Sequence, residues 1–133
     1  MNTISNFIII DDDSLNNLLC RLAIKASLKN SIVKIFTLPE KGFQYIASKK
    51  PESEKRFNTA VLLDINMPSM TGWEFLKLFE GLDETIKGQY KIYILTSSVS
   101  HMDKEQASIN NNIRGYIIKP LNHEKILSIA SVH

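Results

Sequence analysis

The sequence predicts an α/β protein, with a doubly wound, five-stranded parallel sheet flanked by five helices. Five short apolar runs each end in polar or turn residues, which is typical of strands buried on both faces of a sheet. A stretch with helical features follows each run, and no repeat or low-complexity segment interrupts the series. Such alternation implies parallel strands joined by right-handed crossovers, with helices on both faces.

The first strand–helix unit begins with the apolar run Phe7–Ile10, which three aspartates end. Ser14 is a suitable N-cap for the following helix. Six apolar residues of that helix recur at the i, i+3, i+4, i+7 spacing of one face, which we expect to pack on the core. They are Leu15, Leu18, Leu19, Leu22, Ala23 and Ala26. Cys20 lies off this stripe.

The second unit begins with the strand Val33–Phe36, which we place at a sheet edge because Lys34 and Thr37 are polar. Pro39 suits the first turn of the second helix. The inner side of that helix carries Phe43, Ile46 and Ala47. The polar, charged stretch 49–58 is predicted to be a solvated loop.

The third strand ends at Asp64 and leads through a turn to a helix that starts after Gly72. That helix has Trp73, Leu76 and Phe79 on a shared side, and residues 81–89 are predicted to be a polar loop.

The last two units have strands at 91–95 and 115–118, which end in Thr96 and Lys119. Between them, residues 102–110 form a weakly apolar helix that has Met102, Gln106 and Ile109 on one face. Asn122 can cap a final helix. The apolar residues of that helix are Ile126, Leu127, Ile129 and Ala130.

Composition indicates one ordinary globular domain. The chain has 133 residues, 44% of them hydrophobic and 23% charged, with a net charge of +2. This charge does not mark a nucleic-acid binder. No apolar run is long enough to span a membrane. A single cysteine fits a reducing compartment, so we expect a cytoplasmic protein.

Polar side chains follow four of the five predicted strands. Asp11 and Asp12 follow the first strand, Asp64 the third, Thr96 the fourth and Lys119 the fifth. Because parallel strands present their carboxyl ends at one edge, we expect these side chains to converge there. The second strand, predicted to lie at the sheet edge, contributes no charge.

This set of side chains suits phosphoryl transfer. Three neighbouring carboxylates repel one another, at a cost on the order of 1 to 4 kcal/mol per pair, and a divalent cation removes that cost. Oxygen ligands with several waters favour Mg²⁺. Lys119 can pair with a carboxylate or a phosphoryl oxygen, and Thr96 can donate a hydrogen bond to the same oxygens. No glycine-rich phosphate loop is present, which argues against a nucleotide donor.

The chain resembles the receiver domain of two-component response regulators over essentially its whole length. The resemblance lies in four stretches, FIIIDDD at 7–13, LDINMPSMTG at 63–72, LTSS at 95–98 and YIIKP at 116–120. It implies the flavodoxin-like strand order 2-1-3-4-5. We expect one receiver domain over residues 1–133 and no effector domain, since the chain ends about where the last helix would end.

The resemblance also implies a role for each residue of the cluster. Asp64 would accept a phosphoryl group from a phosphohistidine. Asp12, Asp64 and the backbone carbonyl of Asn66 would bind Mg²⁺, while Asp11 would act through a coordinated water. Lys119, followed by a cis bond to Pro120, would bridge to the acyl phosphate.

The family's switch pair would be Thr96, turning toward the phosphoryl oxygen, and Tyr116, turning inward behind it. These movements would bias the surface of the helix at 102–110, the strand at 115–118 and the last helix. The implied partners are a sensor histidine kinase or histidine phosphotransfer protein and an unknown downstream protein. Nucleic acid and membrane are not expected, and we expect a monomer that is not an enzyme.

Two alternatives of other classes are weaker. A Mg²⁺-dependent phosphohydrolase with an aspartyl nucleophile usually has an acid two residues past the nucleophile, where this chain has Asn66. A flavin-binding domain of the same topology would need a Ser/Thr/Gly-rich phosphate loop after the first strand, where this chain has three aspartates. Taken alone, Asp64 would be a helix cap and Tyr116 a core-edge aromatic. Asp13 is the aspartate expected to cap or face solvent.

The other candidate groups are expected to be structural. Trp73 should pack under its helix, and Cys20 should be inert. His101, His123 and His133 lie outside the strand ends and are expected at the surface.

Overall fold

A computed structural model describes residues 4–49 and 58–131 of the chain. Most of the predicted loop at 49–58, and His133, lie outside these ranges. The described residues form five strands, β1 (Asn6–Ile10), β2 (Ile32–Phe36), β3 (Thr59–Leu63), β4 (Tyr90–Thr96) and β5 (Ile113–Ile118). The helices are α1 (Ser14–Ser27), α2 (Pro39–Ser48), α3 (Gly72–Glu80), α4 (Glu84–Lys87), α5 (His101–Ser108) and α6 (His123–Ala130).

The strands form one parallel sheet in the order β2-β1-β3-β4-β5, as predicted. β2 lies at an edge, while β1 and β3 occupy the interior and are almost wholly buried. Their register pairs Ile10 with Leu63, so these two strands end side by side. This pairing sets the relative positions of Asp11 and Asp64, which directly follow.

Helices cover both faces of the sheet and create two apolar clusters. Ile24 of α1 and Ile126 of α6 pack with Ile9 and Leu62 on one face. The other face buries Ile46 of α2 together with residues of α3. The buried α3 residues are Phe75, Leu76 and Phe79, and Trp73 packs partly buried against the same cluster. Successive residues of β1 and β3 therefore contribute to opposite clusters, as expected of strands buried on both faces.

The predicted buried face of α1 is wrong. The buried residues are Asn17, Cys20 and Ile24, whereas the four leucines face solvent on the opposite side of the helix. Of the six residues predicted for the buried face, only Ala23 packs partly buried against the core. Asn17 donates a 2.8 Å hydrogen bond from Nδ2 to the backbone carbonyl of Asp11. This bond helps fix the rotation of α1, because a buried polar group must keep its partner. The spacing of hydrophobic residues alone cannot predict such a contact.

The start of α1 also differs from the prediction in its cap. Asp13 is the N-cap, and its carboxylate accepts hydrogen bonds from the backbone N–H groups of Leu15 and Asn16. Ser14 is instead the first helical residue. The expectation that Asp13 is a capping residue is confirmed. The other predicted cap, Asn122 of α6, is also confirmed, because its side chain accepts from the N–H of Lys125.

The described residues contain six helices rather than the predicted five. The additional helix, α4, occupies four residues of the stretch 81–89 that was predicted to be a polar loop. Lys87 ties it to the end of α3, since its ammonium donates to the backbone carbonyl of Glu80 at 3.0 Å and lies 3.6 Å from the Glu80 carboxylate. Four residues make only one turn, which is too short for a hydrophobic period.

α5 is weakly anchored, as its sequence suggests. Only Ala107 is buried, while Met102 and Ile109 are among the most exposed apolar side chains of the described chain. α5 contacts mainly β5. In α6, Ile126, Ile129 and Ala130 are buried and Leu127 is partly exposed.

Candidate functional site

The carboxyl edge of the sheet brings Asp11, Asp12 and Asp64 together. One carboxylate oxygen from each lies within 4.8 Å of the others. The backbone N–H of Asp64 donates to the carbonyl of Ile10 at 3.0 Å, which extends the β1–β3 pairing to this edge. Asp11 and Asp64 are buried, whereas Asp12 is exposed. The predicted convergence of the three carboxylates is therefore present.

Burial and charge repulsion raise the pKa of Asp64 to about 6. Burial is the larger cause and the negative charge of Asp11 is the second, while the Lys119 ammonium and the N–H groups of Asn66 and Ile65 oppose them. The carboxylate is thus ionised near neutral pH, but at a cost to the folded state. A cation at this position would remove part of that cost.

Lys119 supplies one positive charge to the cluster. Its Nζ lies 2.8 Å from Asp11 Oδ2 and 3.9 Å from Asp64 Oδ2. Burial alone would lower the pKa of Lys119, but the hydrogen bond and charge of Asp11, followed by the charge of Asp64, raise it. The Lys119–Pro120 peptide bond is cis, as expected. The Lys119 N–H donates to the Thr96 carbonyl at 2.9 Å, which joins the ends of β4 and β5.

Asparagines of the first turns of α1 hold Asp11, and sequence reasoning missed both. Asp11 Oδ2 accepts from Asn16 Nδ2 at 3.0 Å as well as from Lys119, and Oδ1 accepts from the N–H of Asp13 at 2.9 Å. Asn17 holds the Asp11 carbonyl from the same helix. Asp11 therefore has little freedom to rotate. The sequence did contain one indication of these contacts, because Asn16 and Asn17 lie five and six residues after Asp11, on a helix that starts at the site.

The turn after β3 places Asp64 through close backbone contacts. A Cβ on Gly72 would lie 2.7 Å from the Asp64 carbonyl oxygen and 2.8 Å from Ile65 Cα, so only glycine fits. Thr71 and Glu74 form a reciprocal capping box at the start of α3. Asn66 is exposed, and its N–H lies 3.3 Å from Asp64 Oδ1. The start of α3 and the phosphoacceptor candidate are therefore packed against each other.

Thr96 and Tyr116 are joined through Ser98 rather than directly. The Ser98 N–H donates to Thr96 Oγ1 at 3.1 Å, and the Tyr116 hydroxyl donates to the Ser98 carbonyl at 3.0 Å. The Ser98 hydroxyl donates to Asp103 of α5 at 2.8 Å. Thr96 is fully buried and Tyr116 is partly buried against the core. Sequence analysis named Thr96 and Tyr116 but missed the connecting role of Ser98.

The remaining candidate groups lie away from this edge or are sequestered. His101 and His123 are exposed, where His101 pairs with Glu105 and His123 contacts Ser27. Cys20 is buried, and burial raises the pKa of its thiol to about 11. Helices of the described chain are all too short or too polar to cross a membrane.

What the site can do follows from its donors. Three carboxylates with oxygen atoms this close can hold a hard cation such as Mg²⁺. A partly exposed ammonium beside them can stabilise an incoming anion. The Asp64 oxygen is a potential nucleophile at a solvent-facing edge, so the arrangement suits an acyl-phosphate-forming carboxylate.

Comparison with known proteins agrees with this geometry. A family model described as the response regulator receiver domain matches residues 7–131. A response regulator receiver protein from Dyadobacter fermentans is 26% identical, with a TM-score of 0.81 over 93% of each chain. No match was found among curated proteins.

Two further solved structures share the fold. A two-component response regulator from Cytophaga hutchinsonii is 24% identical, with a TM-score of 0.79 over 96% of this chain and 95% of its own. The phosphorylated cyanobacterial phytochrome response regulator RcpA is 20% identical, with a TM-score of 0.71 over 95% of this chain and 88% of its own. Together with the family match over residues 7–131, the five-stranded fold and the clustered aspartates place this chain in the response regulator receiver domain family of two-component signalling.

Proposed function

We propose that this receiver domain takes a phosphoryl group onto Asp64 from a phosphohistidine of a sensor kinase or histidine phosphotransfer protein. An Asp64 carboxylate oxygen attacks the phosphorus, the P–N bond breaks, and the imidazole nitrogen keeps the electron pair. The observation that carries the proposal is the convergence of the three carboxylates with the Lys119 ammonium at one open edge. This function is signalling rather than turnover of a free substrate.

The residues fit a magnesium ion. Asp12 and Asp64 would hold it directly, together with the backbone carbonyl of Asn66, and Asp11 would contact it through water. Bound there, Mg²⁺ would neutralise charge on the carboxylates and the transferring phosphoryl oxygens. The fit is supported by an all-oxygen donor set and by the exposure of Asp12. It is also supported by the raised pKa of Asp64, which burial and then the charge of Asp11 cause and which a cation would lower.

Lys119 and Thr96 would bind the phosphoryl oxygens. Lys119 Nζ lies nearer to Asp11 than to Asp64, so it would shift toward Asp64 when the phosphoryl group adds negative charge. Asn16, which donates to Asp11 at 3.0 Å, would still satisfy that carboxylate after the shift. The Thr96 hydroxyl accepts from Ser98, so a turn toward the phosphoryl group would alter the Ser98 contacts with Tyr116 and α5. The surface of α5, β5 and α6 would change for a partner.

The test is intact-mass measurement after incubation with acetyl phosphate, with and without Mg²⁺. We expect a Mg²⁺-dependent gain of one phosphoryl group that the Asp64→Ala variant lacks. Fast hydrolysis can hide the adduct, so beryllofluoride, a mimic that does not hydrolyse, is added in parallel. If beryllofluoride with Mg²⁺ leaves the amide signals of Asp64, Thr96 and Tyr116 unmoved, the proposal is refuted.

A further inference from the structure

Four leucines on α1 form an apolar face that the rest of the described chain does not cover. The exposed fractions are 66% for Leu15, 49% for Leu18, 55% for Leu19 and 57% for Leu22. The opposite side of the helix packs on the core through Cys20 and Ile24, so the leucines cannot turn inward without unpacking it. Single exposed leucines are ordinary, but a contiguous group of four marks an interaction surface.

The positions of these leucines are symmetric along the helix. Leu15 and Leu22 are equally far from the midpoint between Leu18 and Leu19. A two-fold axis through that midpoint would bring Leu15 of one copy opposite Leu22 of the second copy. Leu18 and Leu19 would flank the axis and each meet its own counterpart. An interface between identical chains requires this self-complementarity, and the i, i+3, i+4, i+7 spacing suits packing of one helix on another.

The charges along α1 favour the same antiparallel arrangement. Exposed Asp12 and Asp13 precede the helix, whereas exposed Lys25 lies in its last turn and Lys29 follows it. Lys25 donates to the Ser31 carbonyl and still faces solvent. Antiparallel pairing sets the acidic start of one helix against the basic end of the other and opposes the two helix dipoles. Parallel pairing would set like charges together.

We propose that α1 is a self-association surface on which two copies of this chain pair antiparallel through the four leucines. This proposal stands independently of phosphorylation at Asp64. Leu15 and Leu22 are only about 10 Å apart along the helix. The patch is therefore smaller than the roughly 800 Å² per partner of a standard interface, so association is weak and depends on concentration. The sequence-based prediction of a monomer did not consider this exposed leucine face.

The first test is sedimentation equilibrium from about 5 µM to about 1 mM protein. The mean mass of the natural chain should rise from 15.1 kDa toward twice that value. The Leu18→Ser/Leu19→Ser variant should associate at least about tenfold more weakly. The matched control is Leu78→Ser on α3, which removes a leucine of similar exposure and should leave the association unchanged. Circular dichroism verifies that each variant is folded.

The second test uses disulfides to establish the geometry. Leu18→Cys should cross-link to its own copy on mild oxidation, because residue 18 lies beside the axis. Leu15→Cys should not, since its two copies would be about 10 Å apart along the helices, beyond disulfide reach. A mixture of Leu15→Cys and Leu22→Cys should give the mixed disulfide. Cys20 is buried and should not compete.

Several results would overturn the proposal. A constant monomer mass up to the highest concentration would overturn it. If the leucine variants then slowed phosphotransfer, the leucine face would be a docking surface for the phosphodonor and not for a second copy. Association that the Leu18→Ser/Leu19→Ser variant leaves intact would also overturn the proposal. Efficient self-cross-linking of Leu15→Cys would indicate parallel pairing and contradict the two-fold arrangement.

Discussion

Replacing Asp64 with asparagine should make the metal-free protein more stable. The amide has the shape of the protonated carboxyl but no charge. Burial and the Asp11 charge raise the Asp64 pKa from 3.8 to about 6, so ionisation costs the folded state about 3 kcal/mol at pH 7.5. Asp64 itself is buried, but Asp12 beside it is exposed and Lys119 is partly exposed, so nearby water and salt screen part of the charge. We therefore expect Asp64→Asn to gain roughly half of that, about 1.5 kcal/mol.

The pH dependence identifies the cause of this gain. A carboxyl whose pKa is raised by folding stabilises the folded state when it is protonated and destabilises it when it is ionised. The free-energy cost of ionising Asp64 in the folded protein therefore grows as the pH rises from about 4 through 6 and is constant above that. The advantage of Asp64→Asn should therefore fall to roughly half at pH 5 and nearly vanish at pH 4. The assay is urea unfolding in EDTA across this range. Glu124→Gln on the exposed start of α6 is the matched control and should change stability by less than about 0.5 kcal/mol. No advantage at pH 7.5, or one independent of pH, would refute the reasoning.

Three further predictions concern the metal, the turn after β3 and α1, and urea unfolding measures each. Millimolar Mg²⁺ should raise the unfolding free energy of the natural chain by binding the folded state, and Asp12→Ala should lose most of this gain; an equal gain in the variant would exclude Asp12 as a ligand. Gly72→Ala should destabilise by about 1 to 3 kcal/mol, since its Cβ would press on the backbone of the Asp64 turn, whereas Gly81→Ala has room and should cost little. Ile24→Ala should cost about 2 to 5 kcal/mol and Leu22→Ala, at dilute concentration, less than about 0.5 kcal/mol; the reverse order would mean that α1 buries its leucine stripe.

The strands and the site edge were predictable because each strand is a short apolar run that stops at a polar group. Asp11 and Asp64 end neighbouring strands, and parallel pairing then forces them together. The roles of these residues required the resemblance to receiver domains. No local pattern distinguishes a nucleophilic aspartate from a helix cap.

The orientation of α1 could not be predicted from periodicity. A leucine stripe and a narrower stripe of Asn17, Cys20 and Ile24 compete for the core, and apolar spacing favours the leucines. The structure buries the second stripe, in which Asn17 bonds to the Asp11 carbonyl. That contact depends on the position of the strand end, which is tertiary information. α4 escaped prediction for the simpler reason that it has one turn.

The hydrogen bonds of Ser98 determine how readily the β4–α5 connection can rearrange. One serine joins Thr96, Tyr116 and Asp103, so these three groups cannot move fully independently. Each bond contributes about 1 kcal/mol net, so a conformation that broke two of them and made no new contacts would lie about 2 kcal/mol higher and be populated at roughly 3%. Any ligand that prefers this conformation by more than about 2 kcal/mol makes it the major state. The β4–α5 connection thus has one predominant conformation, and only a small free-energy difference separates it from the alternative.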